Sequence, residues 1–272
     1  MSIAEKLVTI AENQQAVYDA GYLRGKESGG GGDYDAGYTE GYQDGEETGI
    51  EMGKQAEYDR FWDTYQNYGN RGSYEFAFSN DGWTDEMFMP KYDIIPLNSA
   101  DGMFAYQGYR STTQCLTNIK GLLEKAGVTL DTSQSTAMSK FCYLAKSITH
   151  LPKISHESCT KMESTFWQSA LYTIDELALK ADGTNTFGTD NWNKPFNGCW
   201  NLQHMIVSGT IGTSGFNVGD CSKLDHDSLM SIINALQTKT SGTWTVTLGT
   251  TNLAKLTDAE KAIATQKGWT LA

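Results

Sequence analysis

The stretch that decides the fold reads Phe196-Asn-Gly-Cys199-Trp-Asn-Leu202-Gln-His-Met205-Ile-Val207, and a related stretch follows as Phe216-Asn-Val-Gly-Asp-Cys221-Ser-Lys-Leu224. Cys199 and Cys221 lie 22 residues apart, and the same offset separates Leu202 from Leu224. Each unit places an aromatic residue, a small residue or cysteine, and then aliphatic residues at strand-like spacing. Repeats of this kind predict a solenoid whose coils stack equivalent side chains.

Two further units lie upstream, at Phe141-Cys-Tyr-Leu144 and at Phe166-Trp-Gln-Ser-Ala-Leu171. The spacing is irregular, because 25, 30 and 20 residues separate the four successive phenylalanines. We expect the repeat residues to point inward, and the set comprises Phe166, Leu171, Phe196, Cys199, Leu202, Phe216, Cys221 and Leu224.

The units at Phe196–Leu202 and Phe216–Leu224 resemble the BspA-like leucine-rich repeat family, which occurs in bacterial surface proteins and in phage and prophage structural proteins. The closing segments, 228–236, 245–249 and 252–257, look like the end of gut-bacterial phage members. The resemblance covers residues 94–272. It implies an α/β leucine-rich-repeat domain with a tail-fibre, head-fibre or receptor-binding role.

Charge is distributed unevenly along the 272 residues. Residues 1–93 carry 19 acidic and 7 basic side chains, whereas residues 94–272 carry 14 of each, which accounts for the net charge of −12. An acidic chain argues against nucleic acid as the main partner. No apolar run is long enough to span a bilayer, and the first residues lack the apolar core of a secretory signal.

The first 57 residues predict a helical stalk for oligomerisation or attachment. Ile3, Leu7, Ile10 and Val17 form a short coiled-coil seam, for which an amphipathic helix packed on its own domain is the alternative. Glycine then recurs every fourth residue, which lets another backbone approach closely if the segment is helical. A flexible acidic linker is the alternative for this segment. The recurring glycines are Gly37, Gly41, Gly45, Gly49 and Gly53.

Residues 58–93 are rich in aromatic side chains, which is too much apolar surface to leave in water. We interpret this segment as a linker or as a cap that covers the end of the next domain. A carbohydrate-stacking surface is the alternative.

The carboxyl-terminal region has local signals for a cap on the repeat domain. Thr243–Leu248 alternates as a strand, and Asp225 or Asp227 is placed to cap a helix over residues 228–236. Thr257-Asp-Ala-Glu260 has the pattern of a capping box.

Signals of catalysis are absent from the sequence. There is no P-loop, no HExxH and no GxSxG. The five cysteines form no CxxC pair, so we expect free thiols and no metal or cofactor. The histidines at positions 150, 156, 204 and 226 occur singly, and we interpret each as a surface or repeat residue.

The sequence therefore predicts an acidic helical stalk (1–57), an aromatic linker or cap (58–93) and a short irregular leucine-rich-repeat solenoid (94–272). The expected function is non-enzymatic. We expect a phage structural protein, made in the host cytoplasm and assembled into the virion, which binds other virion proteins and a bacterial surface glycan or protein. A homo-oligomer is expected, and the resemblance implies a trimer. The alternative is a bacterial leucine-rich-repeat adhesin or protein-binding scaffold at the cell surface or in the cytoplasm.

Overall fold

The computed structural model describes residues 72–73, 77–79, 83–88, 90, 94–111, 113, 115–188, 190 and 193–272. All of them belong to one compact unit, which spans residues 65–272. The predicted stalk of residues 1–57, with its seam and its glycine repeat, lies outside the described residues. No helix in the described part is long and apolar enough to cross a membrane.

The described residues form a mixed α/β structure of nine short strands, four α-helices and one 3-10 helix at Asp85–Met87. The strands are β1 Gly72–Ser73, β2 Ile94–Ser99, β3 Thr129–Asp131, β4 His150–Leu151, β5 Ile154–Ser155, β6 Thr173–Ala178, β7 His204–Ser208, β8 Trp244–Val246 and β9 Trp269–Leu271. The helices are α1 Ile119–Ala126, α2 His226–Ala235, α3 Thr250–Leu253 and α4 Asp258–Gln266.

All strand pairs in the described part are parallel, and they form three separate small sheets. The first sheet has the order β1-β2-β3, and the last consists of β8 and β9. In the middle sheet, β4 and β5 both pair with β6, and β7 pairs with β6 as well. Parallel strands of this length depend on the core beneath them for stability.

Stacked turns connect the strands on one side of the core. Backbone N–H groups at alternate positions of one turn donate to carbonyls of the next, for example from Tyr106 to Tyr143 (2.8 Å) and from Gln168 to Asn197 (2.8 Å). Three such bonds join each turn to the next along the chain. We call these segments the stacked turns, and they are residues 102–106, 140–144, 164–168 and 194–198.

The stacked turns require left-handed backbone at several residues that are not glycine. Tyr106, Leu144 and Gln168 occupy equivalent positions and have φ values of 64°, 54° and 51°. Such a conformation costs about 1–2 kcal/mol for a residue with a Cβ atom, and the bonds between turns offset it. The fourth equivalent position is Gly198, where a Cβ atom would lie only 2.6 Å from Gln168 Cγ.

Phenylalanine rings fill the centre of the described unit. Phe166 stacks on Phe196 with ring centroids 5.4 Å apart, and Phe196 contacts Phe216 at 5.6 Å. At the other end, Phe78 stacks on Phe104 at 5.5 Å. The fully buried phenylalanines are Phe78, Phe104, Phe141, Phe166, Phe196 and Phe216.

Helix α2 ends the middle sheet at the outer edge of β7. Met205 N–H donates to Ser228 Oγ (2.9 Å), and Val207 N–H donates to Ser231 Oγ (3.0 Å). Two serine hydroxyls thus take the place of the carbonyls of a further strand. An edge covered in this way does not offer these amides to another chain.

Replacing Ser228 by alanine is expected to destabilise the protein by about 1–3 kcal/mol, since it leaves the Met205 N–H unpaired in a buried position. Urea unfolding measures the change. Ser222→Ala is the matched control, because Ser222 is exposed, and a surface substitution of this kind changes stability by about 0.5 kcal/mol or less. Equal loss in both variants would contradict the edge role of Ser228.

The predicted architecture, a helical stalk followed by a leucine-rich-repeat solenoid, is wrong as a description of the fold. The described part is a mixed α/β structure with separate small parallel sheets, not a continuous solenoid, and it contains no helical stalk. The physical reason lies in the unequal units. A helix, α2, stands after β7 where a regular repeat would place its next strand, and its serines stop the sheet.

Local signals at the carboxyl end are confirmed. Asp225 caps α2, since its side chain accepts from Ser228 N–H (2.8 Å). Thr257 and Glu260 form the predicted capping box at the start of α4. The predicted strand at 243–248 is present over Trp244–Val246.

Candidate functional site

The residues singled out by the repeat pattern are structural. All eight lie in the interior with at most 1% exposure, so none is available to a ligand: Phe166, Leu171, Phe196, Cys199, Leu202, Phe216, Cys221 and Leu224. The residues predicted for oligomerisation lie outside the described residues.

All five cysteines are free and buried. Burial raises the pKa of Cys199 to about 11, although hydrogen bonds with Ser169 and the charge of Lys146 oppose the increase. Burial also raises the pKa of Cys142 and of Cys221. A buried thiol with a raised pKa is a poor nucleophile and a poor metal ligand, so these side chains act as small apolar groups.

Thiol titration is therefore expected to find almost no reactive cysteine in the native protein at pH 8, and five after unfolding in urea. Both measurements use a non-reducing buffer and an aromatic disulfide reagent. Rapid reaction of one or more thiols in the native protein would contradict the buried positions.

Three tyrosines gather on the outer surface of the first two stacked turns. The Tyr106 ring lies 5.8 Å from Tyr109 and 5.5 Å from Tyr143, in edge-to-face geometry in both cases. Tyr143 in turn stacks on the buried Trp167, with centroids 4.9 Å apart and planes inclined by 13°. We call Tyr106, Tyr109 and Tyr143 the tyrosine cluster.

The tyrosine cluster is partly exposed to solvent. Tyr109 is 51% exposed, and Tyr106 and Tyr143 are half-buried. Burial raises the pKa of Tyr143, and ionisation of Tyr106 or Tyr109 would raise it further. None of the three hydroxyls has a hydrogen-bond partner among the described residues. The cluster thus combines ring surface with three available donor and acceptor groups.

One lysine lies beside the tyrosine cluster, and a second bonds to the next turn. Lys140 Nζ lies 5.7 Å from the centroid of the Tyr143 ring, within range of a cation–π interaction. Lys146 donates from Nζ to the carbonyl of Gln168 in the next turn. Burial lowers the pKa of Lys146, with the Cys199 charge acting in the opposite direction. Lys146 thus joins two successive turns, and Lys140 places positive charge beside the Tyr143 ring.

The outer face of the middle sheet is occupied by ion pairs. Lys120 Nζ lies 2.9 Å from Asp175, and Lys153 Nζ lies 3.0 Å from Glu176. Hydrogen bonds from Ser208 and Lys153 lower the pKa of Glu176, against an opposing contribution from burial. Both carboxylates are paired with lysine ammonium groups, and the lowered pKa of Glu176 is the opposite of what a general acid requires.

Three of the four histidines lie at the surface. His204 Nδ1 is 2.6 Å from Asp225, and His226 Nε2 is 2.9 Å from Glu260. His150 contacts Thr149 and the Tyr172 ring. His156 differs, since it is fully buried and neither ring nitrogen has a hydrogen-bond partner among the described residues.

The described residues contain no cluster of three or more His, Cys, Asp or Glu side chains placed to hold a metal ion. The tyrosine cluster and the neighbouring Lys140 can bind a ligand through aromatic rings, hydroxyl groups and an ammonium group. Sequence reasoning missed this cluster, because Tyr106 and Tyr143 stand 37 residues apart. Only the stacking of the turns brings them together.

Comparison with protein-family models, with curated proteins and with solved structures finds no match for this chain. The tyrosine cluster is therefore identified as a candidate site from its geometry alone.

Proposed function

We propose that this chain is a non-enzymatic structural protein of a bacteriophage particle, a tail-fibre, head-fibre or receptor-binding component that contacts a bacterial surface. The tyrosine cluster is the observation that carries the binding role, because it exposes tyrosine rings whose hydroxyls have no hydrogen-bond partner among the described residues. The resemblance of Phe196–Leu202 and Phe216–Leu224 to BspA-like repeats of phage and prophage proteins supports the placement in a virion.

The chemistry of the surface favours binding over catalysis. The thiols are buried, and the carboxylates Asp175 and Glu176 are paired with lysines. Tyrosine, by contrast, offers a large rigid contact area at low cost in side-chain entropy, which is why it is frequent at recognition surfaces.

Adsorption to cells tests the receptor-binding part. The full-length chain, labelled with a fluorophore, is mixed with a panel of gut bacterial isolates and the bound fraction is measured by flow cytometry. We expect saturable binding to a subset of strains. Binding to none of the strains, or equal binding to all of them without saturation, would contradict a receptor-binding role. Immunogold labelling of purified phage particles tests the virion placement.

We further propose that the first 57 residues make the chain a homo-oligomer. The seam at Ile3, Leu7, Ile10 and Val17 supports this, whereas the net acidity of the segment opposes association. Salt should therefore strengthen the oligomer, since the Debye length falls from about 10 Å at 0.1 M to about 3 Å at 1 M ionic strength.

Light scattering of the full-length chain measures this salt dependence directly. A matched comparison replaces Leu7 and Ile10 by serine in one variant, and two polar residues, Asn13 and Gln15, by serine in another. Only the first variant should lose the oligomer. A monomeric full-length chain at tens of micromolar in 1 M salt would contradict self-association.

A further inference from the structure

We infer that the tyrosine cluster is a carbohydrate-binding site, with Tyr109 and Tyr143 as its principal contacts and Lys140 beside them. This inference rests on the proposed function, and it specifies carbohydrate as the class of ligand that the tyrosine cluster binds. The cluster is distinct from the repeat residues that the sequence pattern selected, all of which are buried.

The arrangement of rings suits a sugar. The C–H groups on one face of a pyranose carry partial positive charge and are attracted to the electron-rich face of an aromatic ring. The stack on Trp167 covers one face of Tyr143 and fixes that ring before any ligand arrives, and Tyr109, which is 51% exposed, supplies the most accessible ring of the cluster. A ring fixed in this way loses little entropy on binding.

Polar groups around the rings match the edges of a sugar. Each tyrosine hydroxyl can both donate and accept, and Lys140 adds a cationic donor. The Tyr106 ring contacts those of both Tyr109 and Tyr143, with centroids 5.8 and 5.5 Å away, so the three rings form one small patch.

An extended peptide is a poor occupant of this surface. Strand addition requires free backbone amides, but the N–H of Tyr106 donates to Tyr143, that of Tyr109 to Tyr106, and that of Tyr143 to Lys140, at 2.8 to 3.1 Å. The amides of the three tyrosines are therefore not available to a peptide strand.

A folded protein or a nucleic acid also fits poorly. Three rings on two turns fall far short of the roughly 800 Å² per partner that a specific protein interface buries. Lys140 is the cation that lies over a ring of the cluster, and one ammonium group is too little positive charge to follow a phosphate backbone. A short glycan segment is the ligand that matches this size and polarity.

The test uses full-length protein and the bacterial strain that binds it most tightly. Cells are treated with periodate, which cleaves vicinal diols of sugars, or with proteinase K, and binding is then measured by flow cytometry. The surface polysaccharide purified from that strain is titrated against the protein by isothermal calorimetry. We expect periodate to abolish binding, proteinase K to leave it intact, and the polysaccharide to bind.

Variants assign the binding to the cluster. Tyr109→Ala changes an exposed side chain, and Tyr143→Phe removes one hydroxyl while it keeps the stack on Trp167. Each is expected to weaken polysaccharide binding about tenfold, the loss typical of truncation at a central contact. Tyr172→Ala and Trp200→Ala are the controls, since these residues are 38% and 60% exposed and lie outside the cluster. Both controls should bind as the parent does.

The outcomes separate the two proposals. If no strain binds, the receptor-binding role fails. If cells bind but proteinase K removes the binding, the role survives and the carbohydrate assignment is overturned in favour of a protein receptor. If the polysaccharide binds but Trp200→Ala weakens it and the cluster variants do not, the site lies elsewhere and the inference is overturned.

Discussion

At pH 4, replacing His156 by leucine is expected to make the protein about 3 kcal/mol more stable than the parent, whereas at pH 8 the variant should be as stable as the parent or slightly more so. His156 is fully buried after strand β5, and its backbone is held by a bond to Ala178 (2.6 Å) and by Asn185 Nδ2 (3.1 Å). Its ring nitrogens have no partner among the described residues.

The pH dependence follows from the protonation of this imidazole. Burial lowers the pKa of His156 from its ordinary value of 6.5 to about 3. Between those values the unfolded chain binds a proton that the folded chain does not. Each pH unit below 6.5 therefore lowers the free energy of unfolding by about 1.4 kcal/mol, until the folded state also takes up the proton near pH 3. The stability is present above pH 6.5 and is lost on acidification.

Comparing parent and variant isolates this histidine from other acid effects. Hydrogen bonds also lower the pKa of Glu260 and of Asp182, so their protonation destabilises the parent and the variant alike. Urea unfolding at pH 8 and at pH 4 gives the four free energies required. His150→Gln is the matched control, because His150 is half-buried and bonded to Thr149. A parent–variant difference that stays constant between the two pH values would show that folded His156 accepts a proton.

Features fixed by neighbouring residues were predictable from the sequence. The capping box at Thr257 and Glu260 needs only four consecutive residues, and so does the Asp225 cap of α2. The physical cause in both cases is the unpaired amides of the first helical turn. Such signals depend little on the rest of the chain.

Features fixed by distant contacts were not predictable. Lys140, Leu144 and Ser164 have left-handed backbones that their residue types disfavour, and only bonds to the neighbouring turns hold them there. The same holds for the edge of β7, since nothing in the sequence around Ser228 and Ser231 indicates that their hydroxyls accept from another segment. The solenoid prediction failed on these contacts, because it extended one repeat pattern over units of unequal length.

The candidate site could not be predicted from the sequence for a related reason. The tyrosine cluster draws Tyr106 and Tyr109 from one turn and Tyr143 from the next, so no local motif marks it. The repeat pattern identifies residue types that recur along the chain, and these are mostly the buried residues that pack in the core. Residues that bind a ligand need only be exposed together, which periodicity does not report.

Replacing Phe196 by alanine is expected to destabilise the protein by about 3–5 kcal/mol, the range for a large aromatic side chain removed from a packed core. Its ring is fully buried, and its centroid lies 5.4 Å from that of Phe166 and 5.6 Å from that of Phe216. The truncation leaves a cavity between two rings that the bonded turns prevent from closing. Leu202→Ala, in the same unit and also buried, should cost about 2–5 kcal/mol.

Thermal unfolding measures the loss, and for a domain of this size a destabilisation of 3–5 kcal/mol corresponds to a fall in Tm on the order of 10 °C. Trp200→Ala is the matched control, because it removes a larger ring only four residues further along the chain, at a position that is 60% exposed. That control should shift stability by about 0.5 kcal/mol or less.

A double-mutant cycle with Phe166→Ala isolates the ring–ring contribution, which is expected at about 0.5–1.5 kcal/mol. If Phe196→Ala unfolds at the same Tm as the parent, the stacked phenylalanines do not contribute to the stability of the core. Coupling energy near zero would instead mean that each ring contributes through its own burial, and that the 5.4 Å stack adds nothing further.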